Sequence, residues 1–261
     1  MTGLLVAACG LLGLAVGSFL NVVVWRVPRG ESVVHPPSAC PRCAHPIRPR
    51  DNVPVLSWLL LRGRCRDCGA PISARYPLVE LGTAVAFLAV AWFTGPGWVL
   101  PALLYLAAIS VALTLIDVDV HRLPDAIVLP SYPVALGLLA LASADPGGTA
   151  DWAALVRAAA GGAAMYTAYL VIRLIHPAGM GFGDVKLAGV LGLYLGWYGW
   201  GALAVGFFAG FLVGGVVGIA LLAAGRAGRR TAIPYGPWML VGAWIGVVAG
   251  PALAGWYVGL L

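Results

Sequence analysis

Charge is what this chain has least of. Of 261 residues, 16 are Lys or Arg and 10 are Asp or Glu, about a tenth of the total, where a soluble domain carries roughly a quarter. Hydrophobic residues make up 61% and the mean hydropathy is +0.92. This composition excludes an ordinary soluble enzyme or a disordered scaffold and points to an integral membrane protein. There is no low-complexity tail and no internal repeat of solenoid length, so neither a linker-like nor a stacked-repeat architecture is expected. The first apolar run also lacks the basic start and small-residue cleavage site of a secretory signal, and Arg26 and Arg29 follow it. It is expected to remain as an anchor.

What is abundant is apolar sequence in lengths that suit a bilayer. Stretches at about 3–24, 77–95, 98–116, 126–143, 152–175, 185–200, 201–224 and 238–260 lie close to the roughly 20 residues needed to span. The expectation is an all-α polytopic protein with about eight transmembrane helices. Short loops rich in Lys and Arg stay cytoplasmic, which places residues 25–76 inside and both termini outside. Arg122, Arg173, Lys186, Arg226, Arg229 and Arg230 then also lie inside, and Arg157 is the exception. The outer loop around Asp145 and Asp151 has no basic residue of its own. The net charge of +6 is thus read as positive-inside bias, with membrane lipid as neighbour and no nucleic-acid partner. In the span 201–224, Gly210, Gly214, Gly215 and Gly218 fall on related helical faces and are read as a close-packing surface.

Residues 25–76 are the one sizeable polar piece, rich in proline, arginine and cysteine. About fifty residues cannot bury much core, so a metal or a similar staple is expected. Four of the five cysteines form two Cys-x-x-Cys pairs, Cys40 with Cys43 and Cys65 with Cys68, and Gly69 follows the second. Two such pairs supply four thiolates for a tetrahedral zinc site, although the 21 intervening residues slightly exceed the usual spacing of roughly 15 to 20. A redox dithiol or disulfides are the rivals, and a reducing cytoplasm disfavours the latter. Cys9, alone in the first span, is read as an apolar filler.

Against this apolar background two acids stand out. Asp117 follows an unbroken apolar run, and Asp184 follows Gly181-Phe182-Gly183 at the start of another. A charge at mid-bilayer costs roughly 2.5 to 3.5 kcal/mol on insertion scales, so such groups mark functional sites by default. Two carboxylates that share a proton can hydrolyse an amide, one deprotonating water and the other polarising the carbonyl. Around them, Asp119 is expected to face water, and Asp125, beside Pro124, to start a helix. Gly181 and Gly183 would permit close approach of an extended peptide, and Lys186 would neutralise the site or snorkel to headgroups. An ion- or proton-coupled transporter is the competing class, but it predicts an internal repeat and gives no reason for a zinc module. A non-enzymatic assembly factor that only holds its partners is the third.

Taken in order, these residues resemble the bacterial type IV prepilin peptidases, membrane aspartic proteases with a Gly-x-Gly-Asp motif. The resemblance runs from Gly17-Ser18-Phe19-Leu20-Asn21 and Arg26-Val27-Pro28 through both cysteine pairs. It continues through Asp51-Asn52-Val53-Pro54, Arg62-Gly63-Arg64-Cys65 and Arg75-Tyr76-Pro77-Leu78-Val79-Glu80 to the segments 117–125 and 181–184. It implies an inner-membrane enzyme that cuts the basic leader from prepilins and pseudopilins at the cytoplasmic face and methylates the new N-terminus with S-adenosylmethionine. Asp117 and Asp184 would be catalytic and Cys40, Cys43, Cys65 and Cys68 would hold zinc. The methyl donor is expected in the module as a whole, with Asn52, Gly63, Arg64 and Glu80 as its candidate contacts. Glu31, Asp51, Asp67 or Glu80 would favour a basic leader. The expected organisation is an anchor at 1–24, the zinc-binding module at 25–76, and a seven-helix peptidase domain at 77–261.

Overall fold

The computed structural model describes residues 2–177, 179–226, 228 and 234–259; Arg229 and Arg230, placed inside above, lie outside the described residues. Among the described residues the regular structure is helical: α1 (Thr2–Arg26), α2 (Leu56–Leu60), α3 (Arg75–Thr94), α4 (Leu100–Val120), α5 (Asp125–Ala144), α6 (Trp152–Ile175), α7 (Phe182–Tyr198), α8 (Trp200–Ala223) and α9 (Gly236–Val258). Seven of these are long and apolar enough to cross a membrane. The eighth expected span is α7, 17 residues long and at the short end of the spanning range. The chain is thus the expected all-α multi-pass protein, with its cysteine-rich segment between the first two long helices. The expected helix limits agree with those found to within four residues. Two compact units divide it, Met1–Ala112 and Leu113–Leu261, with the boundary inside α4.

In the first unit α1 packs antiparallel to α3 through a glycine stripe. A Cβ on Gly13 would stand 2.7 Å from the Ala84 Cα, and one on Gly17 2.7 Å from the Glu80 Cα. Such contact needs small residues, since in lipid the gain comes from backbone proximity and van der Waals packing. Four residues further along, Asn21 Nδ2 donates to the Tyr76 carbonyl at 3.2 Å.

In the second unit α7 is the central element, packed by α5, α6, α8 and α9, and apart from Lys186 it is buried from Asp184 to Gly196. Its approach to α6 is again glycine-lined: a Cβ on Gly192 would meet the Gly161 carbonyl at 2.5 Å. The seam of α8 with α9 uses Gly206 and Gly210 against Gly242 and Gly246. Gly210 and Gly214 therefore belong to the packing surface read from sequence, whereas a Cβ on Gly215 would meet nothing. One residue turns a helix by about 100°, enough to carry Gly215 off the contact. Arg157, the exception to the charge bias, donates to the carbonyls of Gly196 and Trp197 at 2.9 and 2.8 Å. It satisfies orphan acceptors at the C-terminal end of α7, where the helix dipole also favours a cation.

Candidate active site

Asp117 lies one turn from the end of α4, and Asp184 is the third residue of α7. Both are buried, at 5% and 9% exposure. The Asp184 Oδ2 accepts from the backbone N–H of Gly181 at 3.0 Å. This is the reach-back half of a capping box, in which the third helical residue satisfies the amide that precedes the helix. The Asp117 Oδ2 accepts from the N–H of Gly236, the first residue of α9, at 3.0 Å. Each carboxylate is thus fixed through one oxygen by a main-chain donor, and among the described residues its other oxygen takes no hydrogen bond from the protein. The two are close enough for their charges to interact, and both line an open cavity of about 300 Å³.

Glycine at the neighbouring positions has a steric cause. A Cβ on Gly183 would stand 2.9 Å from the Leu123 Cβ, and one on Gly236 would stand 2.9 Å from the Asp117 Oδ2 and 3.2 Å from Leu123 Cδ2. Buried Leu123 is therefore a wedge between the two segments that carry the amide donors. Gly181 has extended backbone, φ −69° and ψ 151°, which any residue adopts, and a Cβ there would lie 3.1 Å from Asp184 Oδ2. His121 closes the α4 segment with φ +52°, its N–H donating to the Asp117 carbonyl at 2.8 Å.

Asp119 is exposed. Asp125 opens α5, but its carboxylate does not cap that helix: both oxygens accept from Lys186 Nζ at 2.7 Å. Lys186 is held at its other end too, because its carbonyl accepts from the Tyr132 hydroxyl at 2.7 Å. The ammonium also stands 4.9 Å from the Phe182 ring centre. Three participants went unread in the sequence: Gly236, Leu123 and Tyr235. The hydroxyl of Tyr235, just ahead of Gly236, lies 3.3 Å from that of Tyr169, and burial raises the Tyr235 phenol above its ordinary range. The one signal for these was the Tyr235-Gly236-Pro237 break before the last apolar run, which marks a helix start.

The cysteine module is built twice from one pattern. In Cys40–Ile47 and in Cys65–Ile72 the first cysteine N–H donates to the carbonyl five residues on, at 3.0 and 2.8 Å, and its own carbonyl accepts from the N–H four residues on. Ala44 and Gly69 occupy the equivalent left-handed positions, φ +57° and +70°. Isolated bridges, Ala39 with Pro46 and Arg64 with Pro71, close the two turns. The four sulfurs lie within 4.8 Å of one another, with Cys40 Sγ and Cys68 Sγ 3.8 Å apart. Four ligands at a Zn–S distance of about 2.3 Å in a tetrahedron stand about 3.8 Å apart, so the residues fit a metal ion. The backbone amides of Cys43 and Arg42 hold the Cys40 thiol down at about 6. At Cys43 the His45 amide also pulls downward, but burial and the neighbouring sulfurs push the thiol up to about 12. Around the cluster, Asp51 accepts a paired contact from Arg66, and Arg48 meets Asp67 at 2.8 Å. Arg66 holds the Asp51 carboxyl below its usual range.

The four candidate contacts for a methyl donor have separate surroundings. Glu80, buried at the start of α3, accepts from the Val55 N–H at 2.7 Å. Gly63 has φ +66°, and a Cβ there would stand 2.9 Å from the Trp58 ring. Asn52 and Arg64 are exposed.

The family model "Bacterial Peptidase A24 N-terminal domain" matches residues 11–94, and "Type IV leader peptidase family" matches residues 102–219. A protein of Aeromonas hydrophila named prepilin leader peptidase/N-methyltransferase is 40% identical, the alignment covering 95% of this chain and 92% of that one. The chain belongs to the type IV leader peptidase family. It is accordingly an enzyme, a peptidase carried on a multi-pass membrane fold. A relative of the same printed name from Pseudomonas aeruginosa is 38% identical over 95% of this chain and 91% of its own. One from Myxococcus xanthus is 44% identical over 85% of this chain and 64% of its own. No solved structure gives a significant match. In this leader peptidase the stretch matched as the peptidase family contains both buried aspartates, while Gly236, the donor to Asp117, lies beyond it.

Proposed function

We propose that the protein removes the leader peptide of prepilins and pseudopilins by a two-aspartate mechanism. The observation that carries this reading is the pair of buried carboxylates on one cavity, each tethered through a single oxygen by a backbone amide. One carboxylate, Asp117 or Asp184, takes a proton from water as the water oxygen bonds to the scissile carbonyl carbon. The other, protonated, donates its hydrogen bond to the carbonyl oxygen and takes up the developing charge. The tetrahedral species collapses with cleavage of the C–N bond, and the leaving amine takes the proton first removed from water. Main-chain donors suit this task because they hold the acids in place without adding a charge to the cavity.

Asp125 draws the Lys186 ammonium aside, so that a cation two residues from Asp184 does not neutralise the pair. The active site lies at the cytoplasmic face of a bacterial inner membrane, a reading supported by membership of this family and by the arginine-rich module. The cluster Cys40, Cys43, Cys65 and Cys68 holds structural zinc. The module also hosts methylation of the newly exposed amine, for which S-adenosylmethionine supplies an electrophilic methyl group. Exposed Asn52 and Arg64 are the residues free to face that donor, whereas Glu80 and Gly63 serve the module's own backbone. The division into an anchor at 1–24, a module at 25–76 and a peptidase domain at 77–261 follows from the same assignment.

The test is mass spectrometry of a prepilin after incubation with purified enzyme and S-adenosylmethionine. Loss of the leader and gain of one methyl are expected. With Asp117→Asn or Asp184→Asn, cleavage should fall by about 10⁴-fold or more, as when one member of a concerted catalytic pair is removed, while methylation of a pre-cut substrate persists. Unchanged cleavage in either folded variant would sink the mechanism and return the acids to ion transport.

A further inference from the structure

Residues 53–61, Val-Pro-Val-Leu-Ser-Trp-Leu-Leu-Leu, carry no charge and lie inside the otherwise polar module. They contain α2, and Val53, Leu56, Leu59 and Leu60 are exposed, Leu60 at 74%. The segment is nonetheless held firmly. The Ser57 hydroxyl accepts from the Val53 N–H and donates to the Arg50 carbonyl, both at 3.0 Å. Trp58 Nε1 donates to the Ile72 carbonyl at 3.1 Å. Val55, at φ +59°, has its N–H fixed by Glu80. An exposed apolar patch on so ordered a support marks an interaction surface.

The depth of that surface follows from the pairing of α1 with α3. Gly17 and Glu80 lie side by side. Trp25, with the Arg29 guanidinium 3.6 Å above its ring, is an interfacial anchor at the end of α1. Trp25 lies eight positions beyond Gly17, about 12 Å at 1.5 Å per residue. The Glu80 side chain leans toward the N-terminus of α3, which is the direction of Trp25, and one turn of about 5 Å bounds that reach. The Val55 amide that it binds is therefore still about 7 Å inside the Trp25 level. On α3 itself, Leu78 and Leu81 are exposed at this depth. Only lipid suits such a surface there, and Arg50 and Arg62, exposed on either side of the run, match anionic headgroups.

We propose that residues 53–61 are a re-entrant wedge, inserting Leu56, Leu59 and Leu60 into the bilayer leaflet on the module's side. The segment neither spans nor floats. It lies in the interface as a monotopic anchor does, and it ties the cysteine-rich part of the chain to the membrane surface independently of the flanking helices.

The experiment uses the full chain in vesicles of phosphatidylcholine and phosphatidylglycerol at about three to one, with a fluorescent amino acid replacing Leu60. A control probe replaces exposed His45 in the first cysteine turn. At position 60, acyl-brominated lipid should quench emission at least twofold and aqueous iodide should not, with the reverse at position 45. Iodide quenching of both sites would put the segment in water and overturn the proposal. Quenching of position 60 by neither would mean a protein cover, such as a substrate helix or second copy, and would overturn it equally. A probe at Leu59 gives the same readout if the first variant does not fold. Cleavage activity plays no part in the measurement, so this inference stands or falls separately from the peptidase reading.

Discussion

The cysteine module and the aspartate site solve the same problem, holding reactive groups in place, by opposite means. In the module each half is a local turn: Cys40 to Ile47 and Cys65 to Ile72 repeat the same hydrogen bonds and the same left-handed residue. At the aspartates nothing repeats, and the parts come from segments near residues 117–125, 181–186 and 236. Local turns need few neighbours but cannot bury enough to stand alone, whereas the carboxylates are held by helices that approach to backbone contact. The first construction should therefore fail when its ligand goes, and the second when a hydrogen atom becomes a methyl group.

If the four cysteines hold zinc as proposed, its removal should show this contrast most sharply. A structural Zn²⁺ of this kind contributes roughly 10 to 16 kcal/mol of apparent binding free energy at neutral pH. A strong chelator should therefore expose the amides of residues 38–72 to hydrogen exchange while leaving α6 to α9 protected. Uniform protection in both regions would contradict a metal-dependent module.

The converse probe is Gly236→Ala. Its Cβ would stand 2.9 Å from Asp117 Oδ2, and misplacement on the order of 1 Å at a catalytic group costs about 100-fold in rate. The expected result is a kcat loss of that size with KM within about twofold and exchange in the module untouched. An effect confined to KM would assign Gly236 to substrate binding instead.

A smaller effect is expected at the cavity rim. Asp125→Asn frees the Lys186 ammonium beside Asp184, and cleavage should drop severalfold. The pair is partly exposed, which keeps the effect under about tenfold. The double variant Asp125→Asn with Lys186→Gln should recover most of the rate, and failure to recover would show that Asp125 acts otherwise.

Least of all should follow from Asp51→Asn. The Arg66 contact lowers the folded-state pKa of Asp51, so its stabilisation is complete above the ordinary value near pH 4 and is lost only as pH falls through the lower folded-state value. The melting difference between wild type and variant should amount to a few degrees at most and stay constant from pH 8 to 5. A titration inside that window would contradict the pairing.

The same contrast governs what the sequence could disclose. The helices were legible because spanning length and composition are properties of contiguous residues, and so was the cluster of cysteines, whose spacing is itself the turn. Asp117 and Asp184 were legible as acids at the edges of apolar runs. Their partners were not. The Gly236 amide reaches Asp117 across 119 positions, and no pattern announces which main-chain donor meets which carboxylate. Leu123 reads as one more leucine until two glycines are seen against it. Lys186 gave no local hint of Asp125, 61 residues away, because an ion pair between helices depends on how they dock. Gly215 read as part of the packing stripe because helical faces drift with each residue, and only the partner helix decides where the seam lies.

Helix α7 also bears on how the protein is made. A ribosome delivers it to the membrane before α8 and α9 exist, yet the finished helix is enclosed by α5, α6, α8 and α9 and carries a carboxylate at its first turn. During that interval its shelter must come from α5 and α6, both already synthesised, α6 meeting it through Gly161, Gly192 and Gly196. The glycine seam thus has a second use: it lets α7 pair with α6 before α8 and α9 are made, so that the helix need not wait unpartnered in lipid.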